Sequence, residues 1–185
     1  MSDELTALLI GPTDKTKIFR FGKLREEDYD SHIEDIAKVL AEKISVVYLI
    51  PDAGAPLDVA NVYKKLGGKK VVGVLPEGGY PALEKYFCFC DEIEEIEGDW
   101  RVLNTCLSKK TGLMIGFGLS PTTMVEICYA RYHKNFSGKR IVTLLDEITI
   151  SGRLHPEVEE GVDLRYFNSP EELSSILESV NAGKY

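Results

Sequence analysis

Short apolar runs alternate with segments of helical spacing along nearly the whole chain. The runs that predict strands are residues 5–10, 46–50, 71–75, 112–115, 141–145 and 164–167. Strands that alternate with helices are parallel and joined by right-handed crossovers. Because these strands are almost continuously apolar, both faces of their sheet must be covered. The chain therefore predicts an α/β fold, a doubly wound and mostly parallel sheet with helices on both faces.

The segments between the strands carry helix signals. Apolar residues recur every three or four positions, as at Ile33, Ile36 and Leu40. The sequence Ser169-Pro170-Glu171-Glu172 is a capping box, which opens a helix. We predict helices at 31–43, at 56–66, from 121 to 133, and after the capping box.

Size and charge bound the class of protein. We expect one domain spanning residues 1–185. With 30 acidic and 22 basic residues the formal net charge is −8, which disfavours nucleic acid and anionic membranes as partners. No apolar run approaches the length that spans a bilayer, and the Met-Ser-Asp-Glu start does not resemble a signal peptide. We therefore expect a cytoplasmic protein without nucleic acid or membrane partners.

The cysteines and histidines do not form a metal-binding pattern. Cys88 and Cys90 alternate with Phe87 and Phe89, so on a strand both thiols would point to one face. No second close pair completes a site, and the three histidines are scattered. We predict no metal and no cofactor. We expect the four cysteines to be reduced and mostly buried, namely Cys88, Cys90, Cys106 and Cys128.

Two segments are less regular than the rest. Residues 17–30 are longer than a typical loop between a strand and its helix, so they form either a lid or a disordered loop. Residues 91–97 are strongly acidic but alternate enough for a strand with a solvated face. We interpret the nearby Trp100 as a packing anchor, with a base-stacking platform as the alternative.

Three loops are predicted to meet at one edge of the sheet. They are residues 11–17, 51–56 and 116–123, and each follows a strand. Ligands of open parallel sheets bind at the carboxyl ends of the strands, where the strand order reverses. The loops offer backbone N–H groups, hydroxyls and ammonium groups, which suit a phosphate or a nucleotide. The residues predicted to bind it are Gly11, Thr13, Lys15, Gly54, Ala55, Gly116, Gly118, Ser120, Thr122 and Thr123.

The third loop runs from a strand through a glycine turn into a helix. Glu126 lies about one turn into that helix, near whatever binds at its start. No Gly-x-Gly-x-x-Gly occurs and no lysine follows a glycine loop, so dinucleotides and triphosphates are disfavoured. The alternative is an ordinary helix start, with Ser120 as the cap and Pro121 in the first helical position.

Two stretches resemble a known family. Residues 67–76, Gly-Gly-Lys-Lys-Val-Val-Gly-Val-Leu-Pro, are similar to the family's Gly-Gly-Lys-Val-Ile-Gly-Val-Leu-Pro. The third loop corresponds to its Pro-Gly-Gly-x-Gly-Thr-x-x-Glu motif, with Thr123 on the threonine and Glu126 on the glutamate. From Leu8 to about Leu145 the chain thus resembles the Rossmann-like LOG and "lysine decarboxylase-like" proteins. Their superfamily also includes molybdenum-cofactor carrier proteins and the DNA-processing protein of bacterial transformation.

The resemblance implies an activity and an assembly. Enzymes of the family cleave the N-glycosidic bond of nucleoside 5′-monophosphates with this glutamate and an upstream arginine, which makes Arg101 and Glu126 the implied catalytic residues. Proteins of this kind commonly dimerise through the helix that follows the glycine turn. The resemblance therefore implies a homodimer, with Tyr129, Arg131 and Tyr132 at the interface.

Three positions depart from the family motif. Leu119, Ser120 and Thr122 replace glycines, so side chains stand where backbone would touch a phosphate. The hydroxyls can donate hydrogen bonds instead. We therefore predict that the protein binds a nucleotide or a related phosphorylated small molecule. The alternative is a phosphoribohydrolase that releases a base and ribose 5-phosphate from a nucleoside monophosphate, and whether the chain is an enzyme stays open.

Overall fold

A parallel sheet of seven strands organises the structure. The computed structural model describes residues 4–137 and 140–182, and the side chains among them except those of 134–137. All strand pairs are parallel, and the spatial order is β4-β3-β2-β1-β5-β6-β7. The strands are β1 (Thr6–Ile10), β2 (Val46–Leu49), β3 (Lys70–Pro76), β4 (Glu92–Ile96), β5 (Leu113–Gly116), β6 (Val142–Asp146) and β7 (Asp163–Phe167).

Helices cover both faces of this sheet. They are α1 (Thr16–Phe21), α2 (Tyr29–Lys43), α3 (Ala55–Lys65), α4 (Pro81–Glu84), α5 (Trp100–Lys110), α6 (Pro121–Ser137), α7 (Pro156–Gly161) and α8 (Pro170–Asn181). Two short 3₁₀ turns lie at Glu26–Asp28 and Phe87–Phe89. The doubly wound α/β fold predicted from the sequence is confirmed.

The alternating side chains of β1 enter two separate cores. Ala7 and Leu9 pack in a cluster with residues of α2, α3 and α8. Leu8 and Ile10 pack in a second cluster with residues of α5 and α6. This alternation follows from strand geometry, since successive side chains point to opposite faces. Helices α1, α2, α3 and α8 therefore cover one face, and α5 and α6 cover the other.

The strand order reverses between β1 and β5. From β1 the chain proceeds outward through β2 and β3 to β4, then returns to β5 on the other side of β1. The loops after β1 and β5 consequently diverge toward opposite faces. Such a reversal opens a crevice at the carboxyl edge of the sheet, and it is the usual ligand site of doubly wound folds.

Most predicted elements are confirmed to within one or two residues. The acidic segment is the edge strand β4, which matches the strand with a solvated face. Ser169 Oγ accepts a hydrogen bond from the Glu172 N–H at 3.2 Å, as the capping box requires. The returning Glu172 carboxylate accepts from the N–H of Asn168, one residue before the cap, at 2.9 Å.

The structure resolves three points that the sequence left open or predicted differently. Residues 17–30 are not a disordered loop, because they contain most of α1 and a 3₁₀ turn, and Ile18 of α1 is buried in the first core. Cys88 and Cys90 are not on a strand, because the chain makes a 3₁₀ turn there that packs Phe89 and Cys90 against the same core. The four cysteines are free, but Cys88 and Cys128 are exposed and the other two are half-buried.

Candidate functional site

A cavity of about 440 Å³ opens at the carboxyl edge of the sheet, at the strand-order reversal. Its walls come from the loop after β1, the loop after β2, the first turns of α5 and the first turns of α6. The volume is that of a small-molecule site. Among the described residues its ionisable lining side chains are those of Lys17, Asp52 and Glu126.

The start of α6 is a capped helix end that still presents hydroxyls. Ser120 Oγ accepts a hydrogen bond from the Thr123 N–H at 3.1 Å and lies 2.8 Å from Thr123 Oγ1. Pro121 occupies the first helical position and has no N–H. The helix start therefore has fewer free N–H groups for an anion than a glycine-rich turn would have. Ser120 and Thr122 line the cavity, and Thr123 is fully buried behind them.

The two glycines of the β5–α6 turn set its backbone path without lining the cavity. Gly116 lies within β5, where a side chain would meet Leu145. Gly118 has a φ of +80°, and its N–H donates to Thr149 Oγ1 at 2.8 Å. Neither residue lines the cavity. Their role in this structure is to fix the path of the turn.

A buried polar chain holds this turn in place. The Thr149 hydroxyl donates to the Asp146 carbonyl at 2.9 Å, and the Asp146 carboxylate lies 2.5 Å from His32 Nε2. Asp146 is fully buried at the end of β6, and His32 comes from α2. The turn is thereby tied both to its neighbouring strand and to a helix on the far face of the sheet.

Gly54 joins two of the loops by close backbone contact. It has a φ of +105°, and a Cβ placed there would lie 2.1 Å from the carbonyl oxygen of Pro12. Gly11 lines the cavity, and its Cβ would lie 2.5 Å from the carbonyl oxygen of Phe117. Only glycine permits both approaches. The next residue, Ala55, is fully buried at the start of α3 and does not line the cavity.

Glu126 is the buried carboxyl of the site. The residue is 5% exposed, lines the cavity, and has no hydrogen-bond or ion-pair partner among the residues that the structure describes. Burial raises its pKa to about 8, because the desolvated carboxylate is disfavoured. The side chain is therefore largely protonated at neutral pH. A protonated carboxyl can donate one hydrogen bond and accept another.

Two predicted cationic residues lie outside the cavity lining. The Arg101 side chain is 88% exposed and pairs with Asp99, the N-cap of α5, at 2.5 Å. This hydrogen bond lowers the pKa of Asp99 to about 2. The Lys15 ammonium lies 4.9 Å from the centroid of the Tyr29 ring. The structure thus does not bring Arg101 and Glu126 together in one cavity.

Four polar or aromatic side chains outside the predicted set also line the cavity. Lys17 lies in α1, two residues after Lys15, and Asp52 lies in the loop after β2. Trp100 and Asn104 are four residues apart on α5 and share one helix face. The signal that could have found them is Asp99, a strong N-cap residue ahead of helix-compatible sequence. Its side chain accepts from the N–H groups of Arg101 and Val102.

Solved structures with the same fold can now be compared. No protein-family model matches the chain, and no curated protein matches it in sequence. The molybdenum cofactor carrier protein of Chlamydomonas reinhardtii superposes with a TM-score of 0.67 at 14% identity, over 97% of this chain and 99% of that one. The chain has the fold of a molybdenum-cofactor carrier protein. The resemblance predicted from the sequence motifs is confirmed at the level of the fold.

Two further structures extend the comparison. The molybdenum cofactor binding protein of the phototrophic bacterium Rippkaea orientalis gives a TM-score of 0.65 at 14% identity, over 97% of this chain and 99% of that one. The single-stranded DNA-binding DNA processing protein A of Helicobacter pylori gives 0.64 at 14% identity, over 95% of this chain and 81% of that one. At these identities the comparison establishes the fold alone.

None of the described helices combines the length and apolar character that crossing a membrane requires. Across residues 4–137 and 140–182, no three His, Cys, Asp or Glu side chains group together in a way that could hold a metal ion.

The buried carboxyl makes the stability of the protein depend on pH. The pKa of Glu126 is raised on folding, so the folded protein binds more protons than the unfolded chain between about pH 4.5 and about pH 8. Stability from this group is therefore lost as pH rises through that window. We expect Glu126→Gln to be more stable than the wild type above about pH 8 by a few kcal/mol, with the difference shrinking toward about pH 5.

Denaturant unfolding of both proteins at several pH values measures this difference. Glu97→Gln is the matched control, since Glu97 is exposed at the end of the acidic segment. We expect the effect of Glu97→Gln on stability to be small, because this side chain is exposed. A stability difference for Glu126→Gln that does not change with pH would show that the carboxyl is not buried in the folded protein.

Proposed function

We propose that the protein binds a nucleotide or a related phosphorylated small molecule in the cavity at the carboxyl edge of the sheet. The observation that carries the proposal is Glu126, a buried carboxyl without a described partner that faces a cavity of ligand size. Buried polar groups are normally hydrogen-bonded, so an exception in a native protein needs a reason, and a ligand that supplies the missing partner is one such reason. The hydroxyls and the ammonium group on the same cavity add the donors that a phosphate requires.

The phosphate end of the ligand is assigned to Lys17 and the neighbouring hydroxyls. Thr13, Ser120 and Thr122 line the cavity with Lys17. Charge-assisted hydrogen bonds from an ammonium group are about twice as strong as neutral ones. Lys17 is the one cation among the described lining residues. A single cation suits one phosphate group better than a polyphosphate.

The names of the structural neighbours agree with a binding role. Two of them are a carrier and a binding protein for the molybdenum cofactor. We do not extend the DNA binding of the Helicobacter pylori protein to this chain, because a net charge of −8 repels a phosphate backbone. The four free thiols fit a reducing compartment, and we infer a cytoplasmic protein from them.

Removing the Lys17 ammonium tests the phosphate assignment. We expect nucleoside monophosphates to stabilise the wild type in a thermal-shift screen that also includes cyclic nucleotides and molybdopterin. We expect Lys17→Ala to weaken the binding of the stabilising ligand roughly 10- to 100-fold, because one charge-assisted hydrogen bond is lost. Lys15→Ala is the matched control, and it should leave affinity unchanged because Lys15 lies over Tyr29.

Two outcomes of this screen would contradict the proposal. No stabilisation by any phosphorylated ligand would overturn the binding role itself. Equal losses in Lys17→Ala and Lys15→Ala would leave binding in place but remove the phosphate from the position assigned to it.

The alternative function is hydrolysis of the N-glycosidic bond of a nucleoside 5′-monophosphate. Water would form a bond to the anomeric carbon as the bond to the base nitrogen breaks, giving the base and ribose 5-phosphate. A carboxyl with a pKa of about 8 can both accept and donate a proton near neutral pH. The exposed Arg101, paired with Asp99, does not complete the implied catalytic pair. Binding is therefore the primary proposal.

Base release decides between the two functions. If the protein is a hydrolase, it should release free base from AMP, GMP or cytidine monophosphate, and Glu126→Gln should lower the rate about 100-fold or more. Arg101→Ala in the same assay tests whether the arginine contributes. Equal activity in Glu126→Gln would exclude the catalytic role of the glutamate.

We further propose a homodimer through the outer face of α6. Val125, Cys128 and Tyr132 are exposed there, and with Met124 and Tyr129 they form an apolar groove. Contiguous apolar surface of this kind marks an interaction site more often than free surface. The patch lies on one helix, which suits the self-complementary contact of a twofold dimer.

Light scattering tests the assembly. We expect the wild type to have twice the mass of one chain, and Val125→Glu to shift it toward the monomer, because a charge would be buried in the interface. Val102→Glu, an exposed apolar position on α5, is the control. A monomeric wild type at high concentration would refute the dimer.

A further inference from the structure

Trp100 is the single tryptophan of the chain, and it belongs to neither core cluster. It begins α5, lines the cavity, and is 38% exposed. The Tyr80 ring supports it in an edge-on contact, with centroids 5.0 Å apart. A large aromatic residue that packs in a core would be covered on both ring faces. This exposure favours the base-stacking alternative over the packing anchor.

Asn104 lies one turn further along the same face of α5. It also lines the cavity, and its Oδ1 is buried without a hydrogen-bond partner among the described residues. An unmet buried acceptor is costly, and the cost disappears when a ligand supplies a donor. A primary amide presents a donor and an acceptor side by side. It can therefore pair with two adjacent polar atoms on the edge of a heterocycle.

The aromatic and cationic walls of the cavity come from opposite faces of the sheet. Trp100 and Asn104 belong to α5, whose Leu103 and Leu107 pack in the second core. Lys17 belongs to α1, whose Ile18 packs in the first core. The cavity thus spans the edge of the sheet, with an aromatic wall on one side and an ammonium group on the other.

We propose that Trp100 and Asn104 form a subsite for a planar nitrogen heterocycle of the ligand. The ring stacks on Trp100 and its polar edge meets Asn104, while the phosphate lies on the other side of the cavity with Lys17. This inference rests on the proposed function, because it names the part of the ligand that the same cavity recognises.

The single tryptophan provides a direct readout of stacking. The full-length protein is titrated with AMP, ribose 5-phosphate and adenosine, while tryptophan fluorescence and thermal stability are followed. We expect AMP to change the fluorescence of Trp100 and to stabilise the protein. We expect ribose 5-phosphate to bind more weakly and to leave the fluorescence unchanged, because it carries the phosphate without the ring.

Substitutions on α5 distinguish a role in ligand binding from a role in folding. Trp100→Ala should weaken the affinity for AMP roughly 5- to 100-fold, the range for loss of one base–aromatic stack. It should leave the affinity for ribose 5-phosphate unchanged. Trp100→Phe should restore part of the affinity, since it retains a ring. Asn104→Ala should also weaken the affinity for AMP and leave the affinity for ribose 5-phosphate unchanged. Val102→Ala, an exposed position on the same helix outside the cavity lining, should change nothing.

The outcomes distinguish this inference from the proposed function. Equal affinity for AMP and ribose 5-phosphate without a fluorescence change overturns the ring subsite and leaves phosphate binding intact. Adenosine that binds as tightly as AMP, with a fluorescence change, supports the ring subsite and overturns the phosphate assignment. No binding of any of the three overturns both.

Discussion

Strand β1 is hydrogen-bonded on both edges, and the rest of the structure depends on this central position. It pairs with β2 through Thr6–Leu8 and with β5 through Leu8–Ile10, both in parallel. Because successive side chains of a strand alternate, β1 feeds both cores at once. Because the helices that follow β1 and β5 cover opposite faces of the sheet, the loops beyond these two strands separate. The cavity is a geometric consequence of that separation.

The walls of the cavity are held by close contacts and hydrogen bonds, yet two of its lining residues have polar atoms without hydrogen-bond partners among the described residues. Close backbone contacts at Gly11 and Gly54 and the buried chain from Gly118 to His32 fix its walls. Asn104 Oδ1 is buried without a described partner, and the buried Glu126 carboxyl has none among the described residues either. Burying such groups costs stability, and their position on a well-determined scaffold is why we propose a binding site there. The replaced glycines fit the same interpretation, because Ser120 caps α6 and still faces the cavity with its hydroxyl.

Glu126 and Arg101 differ in what they offer to a ligand in the cavity. The Glu126 carboxyl suits either binding or catalysis, since a carboxyl with a raised pKa can hold a ligand or move a proton. Arg101 is paired with Asp99 and does not line the cavity, so it does not stand beside Glu126 as a second catalytic group. The fold is shared with proteins whose names describe carrying a cofactor and binding DNA, so function follows from the residues that line the cavity.

The sequence by itself determined the fold class, the position of nearly every strand, the Ser120 cap and the location of Glu126. These follow from periodicity, capping chemistry and chain order, which act over a few residues and are visible locally. It predicted five residues that do line the cavity: Gly11, Thr13, Ser120, Thr122 and Glu126. Only the tertiary structure decided that Lys17, and not Lys15, lines the cavity. It also decided that α5 contributes Trp100 and Asn104 to the lining instead of Arg101. That choice depends on the rotation of α1 and α5 about their axes, which is set by core residues such as Ile18 and Leu103 and by the Asp99 cap. A shift of one residue on a helix turns a side chain by about 100°, and packing against a distant strand, not local sequence, fixes that angle.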